Sequence, residues 1–308
     1  MKVFTSIEID KLKETLESGL KLTRTQNIFY LNDKDIKKSN IVINYTQDEM
    51  LEYSKCYNDK IYFFEKYLEI KLFDFQKDMI RHYNENRFSI FMKSDQIGFL
   101  TIIAGLILHD LIFLKEQSVL YVDNKGKNTQ EFIKKIKNLY KKLPFFIKPG
   151  VTQWNVKNIS FDNFNRISIQ SISKEPGISY TISTIILHNF AYVQPKIINN
   201  FYNSIIPTIS YNSQSKIVIA SAPNGNNLFY DLVQKSELRN SHPDKNMYET
   251  MKIYYHQIPG RGKEWKAHTI RLLGNDENAE ILFAQRYELR IIGKREKKFK
   301  RILKILKE

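Results

Sequence analysis

Between Ile61 and Ile292, short and almost wholly apolar runs alternate with longer stretches of helical periodicity. Phe88–Met92 (FSIFM), Ser118–Val122, Thr184–Leu187 and Lys216–Ala220 lack the apolar–polar alternation of a half-solvated strand, so each reads as a strand covered on both faces. Phe99–Leu114 is apolar on every side, and a helix there belongs inside the fold. Thr129–Lys142 instead repeats its apolar residues at helical spacing, which predicts an amphipathic helix ending at Pro144. Further helices are expected over Ile61–Ile70, Phe73–Tyr83, Pro195–Ile209, Asn227–Lys235, Lys263–Leu273 and Glu277–Leu289, with a strand over Thr250–Tyr255. Asn158–Phe161 and Arg166–Ile172 do alternate, and the turn Asp162–Asn165 joins them. Strands that alternate with helices imply an α/β fold, a mainly parallel sheet with helices on both faces, in one domain over 61–292. Before it, 1–60 reads as an irregular or helical N-terminal arm with weak helical patches at Ile7–Leu16 and Gln47–Tyr57. After it, 293–308 reads as a basic amphipathic C-terminal helix.

Composition narrows the class. The chain has 308 residues, a formal net charge of +15 and 42% hydrophobic residues, enough to build a core and too many for wholesale disorder. Cys56 is the single cysteine, which excludes an internal disulfide and a cysteine-based zinc site. No apolar run follows Lys2, so a secretory signal is not expected, and the run Leu100–Leu114 is too short to span a bilayer. The expectation is a soluble, intracellular protein with no membrane partner. The charge points to a polyanion, yet 11 of the 48 basic residues are arginine, which favours non-specific phosphate contact over base reading. Its sharpest cluster, 294–308, holds eight basic and two acidic residues beside an apolar stripe of Phe299, Ile302, Leu303 and Leu306. There Lys294, Lys297, Lys298, Lys300 and Arg301 are candidate contacts to double-stranded DNA. An acidic protein, a membrane surface or the chain's own domain would fit the same stripe.

One segment sits where phosphate chemistry would. Phe88–Met92 leads through Lys93–Gly98 into the helix at Phe99, a strand–loop–helix of the kind that cradles phosphates on backbone N–H groups. Gly-x-x-x-x-Gly-Lys-Ser/Thr is required, and of it Lys93-Ser94-Asp95-Gln96-Ile97-Gly98-Phe99-Leu100 keeps only the final glycine. By pattern alone this is an ordinary strand–turn–helix.

Five blocks in order change that reading. Leu72-Phe73-Asp74-Phe75-Gln76 precedes the loop, and Ser94-Asp95-Gln96-Ile97-Gly98-Phe99-Leu100-Thr101 is the loop itself. Leu143-Pro144-Phe145-Phe146-Ile147-Lys148-Pro149-Gly150 with Trp154-Asn155 comes next, and then Thr184-Ile185-Ile186-Leu187-His188-Asn189-Phe190-Ala191-Tyr192-Val193. Ser221-Ala222-Pro223-Asn224-Gly225 with Phe229-Tyr230 completes the series. Together they resemble the ATPase domain of the large terminase subunit, the DNA-packaging motor of tailed bacteriophages, in its T4-like branch. The blocks align with that family's adenine-recognising L-x-D-[YF]-Q element, its S-R-Q-x-G-K-[ST]-T loop, its LP…PG…WN block, its Walker B strand and its T-T-P-N-G coupling element.

The resemblance implies a P-loop-NTPase-like fold and departs from the family where the chemistry lies. The family's phosphate-gripping lysine aligns with Phe99, its Mg²⁺-binding Ser/Thr with Leu100 and its loop arginine with Asp95. Its metal-binding aspartate aligns with His188 and its water-activating glutamate with Asn189. Thr101, one residue past Leu100, is turned by about 100° on a helix. The arginine and glycine of a further family element appear as Pro176-Gly177. The expectation is a pseudo-ATPase with no catalytic residue, no metal and no cofactor. Phe75, Gln76, Ser94, Gln96 and Gly98 are then residual nucleotide contacts, and Ser221, Ala222, Pro223, Asn224 and Gly225 a retained coupling element. His188 has no neighbouring ligand in sequence and reads as a polar strand-end residue, while Trp154 and Trp265 read as packing residues. Full-length terminases continue into a nuclease, and the fifteen or so residues after Gly293 are too few for one. Portal, capsid or terminase components are the implied partners, in the host cytoplasm or on the virion. Two alternatives stand beside this: an ATPase that uses ATP and Mg²⁺ through Lys93, Arg87, Ser94 and Thr101 or through another chain, and a plain basic DNA-binding protein.

Overall fold

The computed structural model describes residues 33–39, 41, 44–172, 181–210 and 214–293. Its sheet has eight strands: β1 (Phe88–Lys93), β2 (Ser118–Asp123), β3 (Val151–Trp154), β4 (Asn158–Phe161), β5 (Arg166–Ser171), β6 (Thr184–His188), β7 (Lys216–Ser221) and β8 (Glu249–Ile253). Their order is β3-β4-β5-β2-β6-β7-β1-β8, parallel from β5 to β8, with β3 and β4 added antiparallel at one edge. Around it lie α1 (Gln47–Asn58), α2 (Lys60–Lys66), α3 (Asp74–Glu85), α4 (Phe99–Phe113), α5 (Gly126–Lys142), α6 (Pro195–Ser210), α7 (Leu228–Ser236), α8 (Lys263–Leu272) and α9 (Glu277–Arg286). The expected α/β class with a mainly parallel sheet is what forms.

The apolar runs divide between two cores because successive strand residues face opposite ways. Phe91 and Tyr121 join the layer under α2–α5, whereas Ile90, Met92, Leu120 and Val122 join the layer under α6 and α7. The mostly apolar α4 is buried along nearly its whole length, His109 and Asp110 included. At Gly105 a Cβ would come within 2.4 Å of the Phe64 ring, so only glycine lets α2 cross α4 this closely. Two helices end sooner than periodicity suggested. Glu69 (φ 55°) turns the chain after α2, and Leu289 (φ 59°) turns it after α9, while buried Leu68 and Leu289 anchor both turns.

β3 was not anticipated. Its four residues alternate irregularly about a register shift and pair with β4 on one side and Lys38 on the other. That bridge ties 33–39 to the sheet, with Ile36 buried and the Lys37 ammonium donating to the Lys148 carbonyl at 2.8 Å. Of the N-terminal patches, Gln47–Tyr57 is the capped helix α1, and Ile7–Leu16 lies outside the described residues, as do Pro176-Gly177 and 294–308. Trp154 packs on Tyr140, and Trp265 packs among Tyr255, Phe283 and Tyr287. No described helix is long and apolar enough to cross a membrane.

Candidate functional site

The carboxyl ends of β1, β2 and β6 converge beneath the loop 93–98, the place where open α/β sheets bind ligands. A cleft of about 490 Å³ opens there, walled by Lys93, Gln96, Phe99, His188, Asn189 and Arg286 among others. Gly98 (φ 79°) caps α4 in the left-handed conformation, and Gln96 (φ 58°) adds a second kink. Behind the loop, the Gln76 carboxamide accepts from the Phe73 N–H and donates to the Ile97 carbonyl, both at 3.1 Å. Gln76 thus closes the start of α3 and splints the loop. Phe75 is buried, and the exposed ring beside it is that of Phe73, stacked at 5.9 Å. Ser94 is buried under the loop with its hydroxyl on the Asp95 carbonyl, while Leu100 and Thr101 stand on the first turn of α4 at the cleft.

At the centre of the cleft an aromatic stack occupies the floor. The Phe99 ring lies nearly parallel to the His188 imidazole, with centroids 5.5 Å apart and an interplanar angle of 8°. His188, the last residue of β6, places Nδ1 2.8 Å from Asp123 Oδ2 and 3.0 Å from the Tyr121 hydroxyl. Asn189 (φ 54°) donates its amide to the same Asp123 oxygen at 3.0 Å. The other Asp123 oxygen accepts from the Lys125 N–H and the Asn128 amide. Burial works against the Asp123 charge, yet these bonds, the one from His188 first, hold its carboxyl below its ordinary range. Burial also pulls His188 below its usual value despite the opposing bond to Asp123. Asp123 and His188 Nδ1 thus face each other directly, and the other ring nitrogen, Nε2, is buried with no partner.

Charge around the loop is arranged in the same way, partly matched and partly not. Asp95 meets Arg286 Nε at 2.6 Å, and its N–H donates to the Arg286 carbonyl. Arg261, its guanidinium 4.7 Å over Trp265, donates to the Asp95 and Gln96 carbonyls. Lys93 is only 5% exposed, and its ammonium sits 5.4 Å over the Phe99 ring. Burial lowers its pKa, with Asp95 and Asp123 opposing. Arg87, at the other end of β1, donates to the Ser215 carbonyl and lies outside the cleft.

The segment 221–225 is joined to this site. Ser221 Oγ accepts from the Ala191 N–H, and the Asn224 and Asn227 amides both donate to the Ala191 carbonyl. Gln285 on α9 donates to the Pro223 carbonyl and to Asn224 Oδ1. Ala222 is buried, and Gly225 (φ 73°) turns the chain toward α7. A continuous path thus runs from the end of β6 to the end of β7 and on to the helix that carries Arg286.

The cleft therefore gathers Asp95, Gln96, Gly98, Phe99, Leu100, His188 and Asn189, with Ser94, Phe75 and Gln76 behind them. The proposed DNA contacts Lys294, Lys297, Lys298, Lys300 and Arg301 lie outside the described residues. Sequence reasoning missed Asp123, Arg286, Arg261 and Lys135. Only Asp123 left a signal, a charged residue closing an apolar strand. A magnesium-bound triphosphate finds little here among the nearest carboxylates: Asp123 is saturated and Asp95 is paired with Arg286. Among the described residues, no group of three or more His, Cys, Asp or Glu is placed to hold a metal ion.

No family model matches the sequence. Among solved structures, the large terminase ATPase domain of Thermus phage P74-26 superposes with a TM-score of 0.57 at 16% identity, over 74% of this chain and 97% of that one. The large terminase of bacteriophage HK97 superposes with a TM-score of 0.64 at 14% identity, over 77% of this chain and 55% of that one. The chain spans about half the HK97 protein and nearly all of the isolated ATPase domain. Its fold is that of phage large-terminase ATPase domains, a P-loop-NTPase-like mainly parallel sheet.

Proposed function

We propose that this chain is a catalytically inactive relative of the large-terminase ATPase, acting as a structural or regulatory component of DNA packaging or phage assembly. One observation carries the reading, the stack of Phe99 on His188. By the resemblance these two positions belong to the lysine that grips phosphate and the aspartate that holds magnesium, and here an apolar contact joins them. Phosphoryl transfer depends on positioned charge, and a catalytic arginine alone is worth roughly 10³–10⁵ in rate. Here its aligned position is Asp95, which repels phosphate and already holds Arg286. Asn189 cannot take a proton from water at neutral pH, and its amide is spent on Asp123. What persists is the frame: the splint from Gln76 and the link from Ala191 through Asn224 to α9. Such a frame suits binding to portal, capsid or active terminase components, with double-stranded DNA as a further partner.

The test is ATP turnover by the purified chain with Mg²⁺ and double-stranded DNA. No hydrolysis above the buffer rate is expected, and turnover abolished by His188→Ala or Asn189→Ala overturns the proposal. A second reading, an ATPase with a non-standard site, draws support from Lys93, a buried ammonium on the cleft wall. It gains nothing from Arg87, which is bonded at the far end of the strand. In the turnover assay it requires hydrolysis that Lys93→Met abolishes.

A further inference from the structure

A second hollow, of about 330 Å³, runs along α9 and the chain that follows it. Its floor is Ile281, Ala284, Ile291 and Ile292, buried or half-buried, and its rim is Glu277, Glu280 and Arg290, all exposed. On α9 the lining falls at 277, 280, 281 and 284, the spacing of one helical stripe. That stripe is apolar toward the end of the helix and acidic at its start. Neither glutamate makes an ion pair among the described residues, whereas Arg290 leans on Glu288 at 3.5 Å. The same helix braces the cleft, because Gln285 donates to the Pro223 carbonyl and Arg286 pairs with Asp95. Whatever fills the hollow therefore packs on the helix that holds the loop 93–98.

We propose that this hollow receives residues 294–308 of the same chain, with the stripe Phe299, Ile302, Leu303 and Leu306 on its floor and neighbouring basic residues against Glu277 and Glu280. The tether favours this occupant first. Ile292 lines the hollow and Lys294 follows two residues later, so the segment is held at its edge at an effective concentration of about millimolar. Reach is sufficient as well. The residues from Lys294 to Phe299 span up to about 20 Å, and the ten residues of α9 about 15 Å. Charge is complementary, since the segment carries eight basic residues against two acidic ones and faces two unpaired glutamates. Its apolar stripe and the apolar floor each gain by leaving water together. A foreign partner would need the same chemistry without the tether. Seated there, the segment covers Ala284, directly before Gln285 and Arg286, and stiffens the brace on the cleft. None of this depends on whether the cleft turns over ATP.

The experiment is hydrogen–deuterium exchange of the full chain, read by mass spectrometry on peptides covering 294–308. In the parent these amides are expected to exchange at least about tenfold more slowly than in an unstructured peptide. The double charge reversal Glu277→Lys with Glu280→Lys is expected to speed that exchange by about tenfold, with peptides from β1 and β2 unchanged. Ile281→Asp, which places a charge on the apolar floor, is expected to release the segment fully. Glu264→Lys makes a like charge change on α8, outside the hollow, and is expected to leave the exchange as it was. Raising the salt to 0.5 M, on the order of a Debye length of a few ångströms, is expected to speed exchange in the parent. Circular dichroism confirms folding, and if Ile281→Asp fails to fold, the reversal at the two exposed glutamates decides. Exchange of 294–308 at the unstructured rate in the parent, or protection that survives the double reversal, would overturn the inference. Protection that grows with protein concentration would also overturn it, by making a second copy the occupant. No ATP turnover is read, so these failures are separate from failure of the proposed function.

Discussion

Two lysine-bearing clusters lie toward opposite ends of the sheet, and their polar groups are matched differently. At the amino ends, Lys60 meets Asp110 at 2.6 Å, the Tyr83 hydroxyl donates to the other Asp110 oxygen at 2.6 Å, and Lys216 donates to the Tyr83 carbonyl at 2.7 Å. Each of these charges has its counterpart. At the carboxyl ends, Lys93 makes no hydrogen bond or ion pair among the described residues, although Asp95 and Asp123 favour its charge, and His188 Nε2 has no partner. Asp110 is as buried as Lys93, while Lys60 and Lys216 are only half-buried. A buried charge that is fully paired is architecture, and one left unpaired is a cost to the fold.

The largest expected effect is at the paired end. Asp110→Ala leaves the Lys60 ammonium without its partner and is expected to destabilise the fold by about 3–5 kcal/mol in urea unfolding. A loss within experimental error would mean the two clusters do not differ. The same carboxyl sets an acid dependence. Burial works against the charged form, but Lys60 and His109 hold Asp110 well below the ordinary carboxylate range. The unfolded chain therefore binds the extra proton, and the stability this group contributes, full above about pH 5, is lost as pH falls through the folded value. Asp110→Asn is expected to flatten that part of the stability–pH curve, measured by urea midpoints from pH 7 to pH 3.

At the open end the sign reverses. Lys93→Met removes a buried ammonium that makes no hydrogen bond or ion pair among the described residues, so its melting temperature is expected to match or exceed that of the parent, with a gain of about 1 kcal/mol. A clear fall in stability would show that Lys93 is paired in solution and erase the contrast. The smallest effect belongs to Asp95 and Arg286, a pair with its arginine side chain 43% exposed. A double-mutant cycle with Asp95→Asn and Arg286→Met is expected to give a coupling of about 0.5–1 kcal/mol, falling with salt.

The layout of the fold was legible because it is written locally. Continuous apolar runs gave β1, β2, β6 and β7, and the mostly apolar 99–114 gave the buried helix. β3 was not legible, since four residues between Gly150 and Asn155 form a strand only by leaning on Lys38 and β4. At the site, the loop and the end of β6 could be read from the chain, with Phe99 and His188 among their residues. Their stacking could not, nor could the partners. Asp95 finds Arg286 across 191 residues and His188 finds Asp123 across 65, distances over which no sequence period carries information. Gln76 shows the same limit, because its sequence suits an adenine contact and the fold uses it as a splint.

The central claim is that this cleft has no place for a catalytic metal. Titration of the chain with a non-hydrolysable ATP analogue, once in EDTA and once in millimolar Mg²⁺, tests it most directly. The affinity is expected to be the same in both, or weaker with magnesium shielding the phosphates from Lys93. A rise of about tenfold on adding Mg²⁺, a difference of about 1.4 kcal/mol, would contradict it.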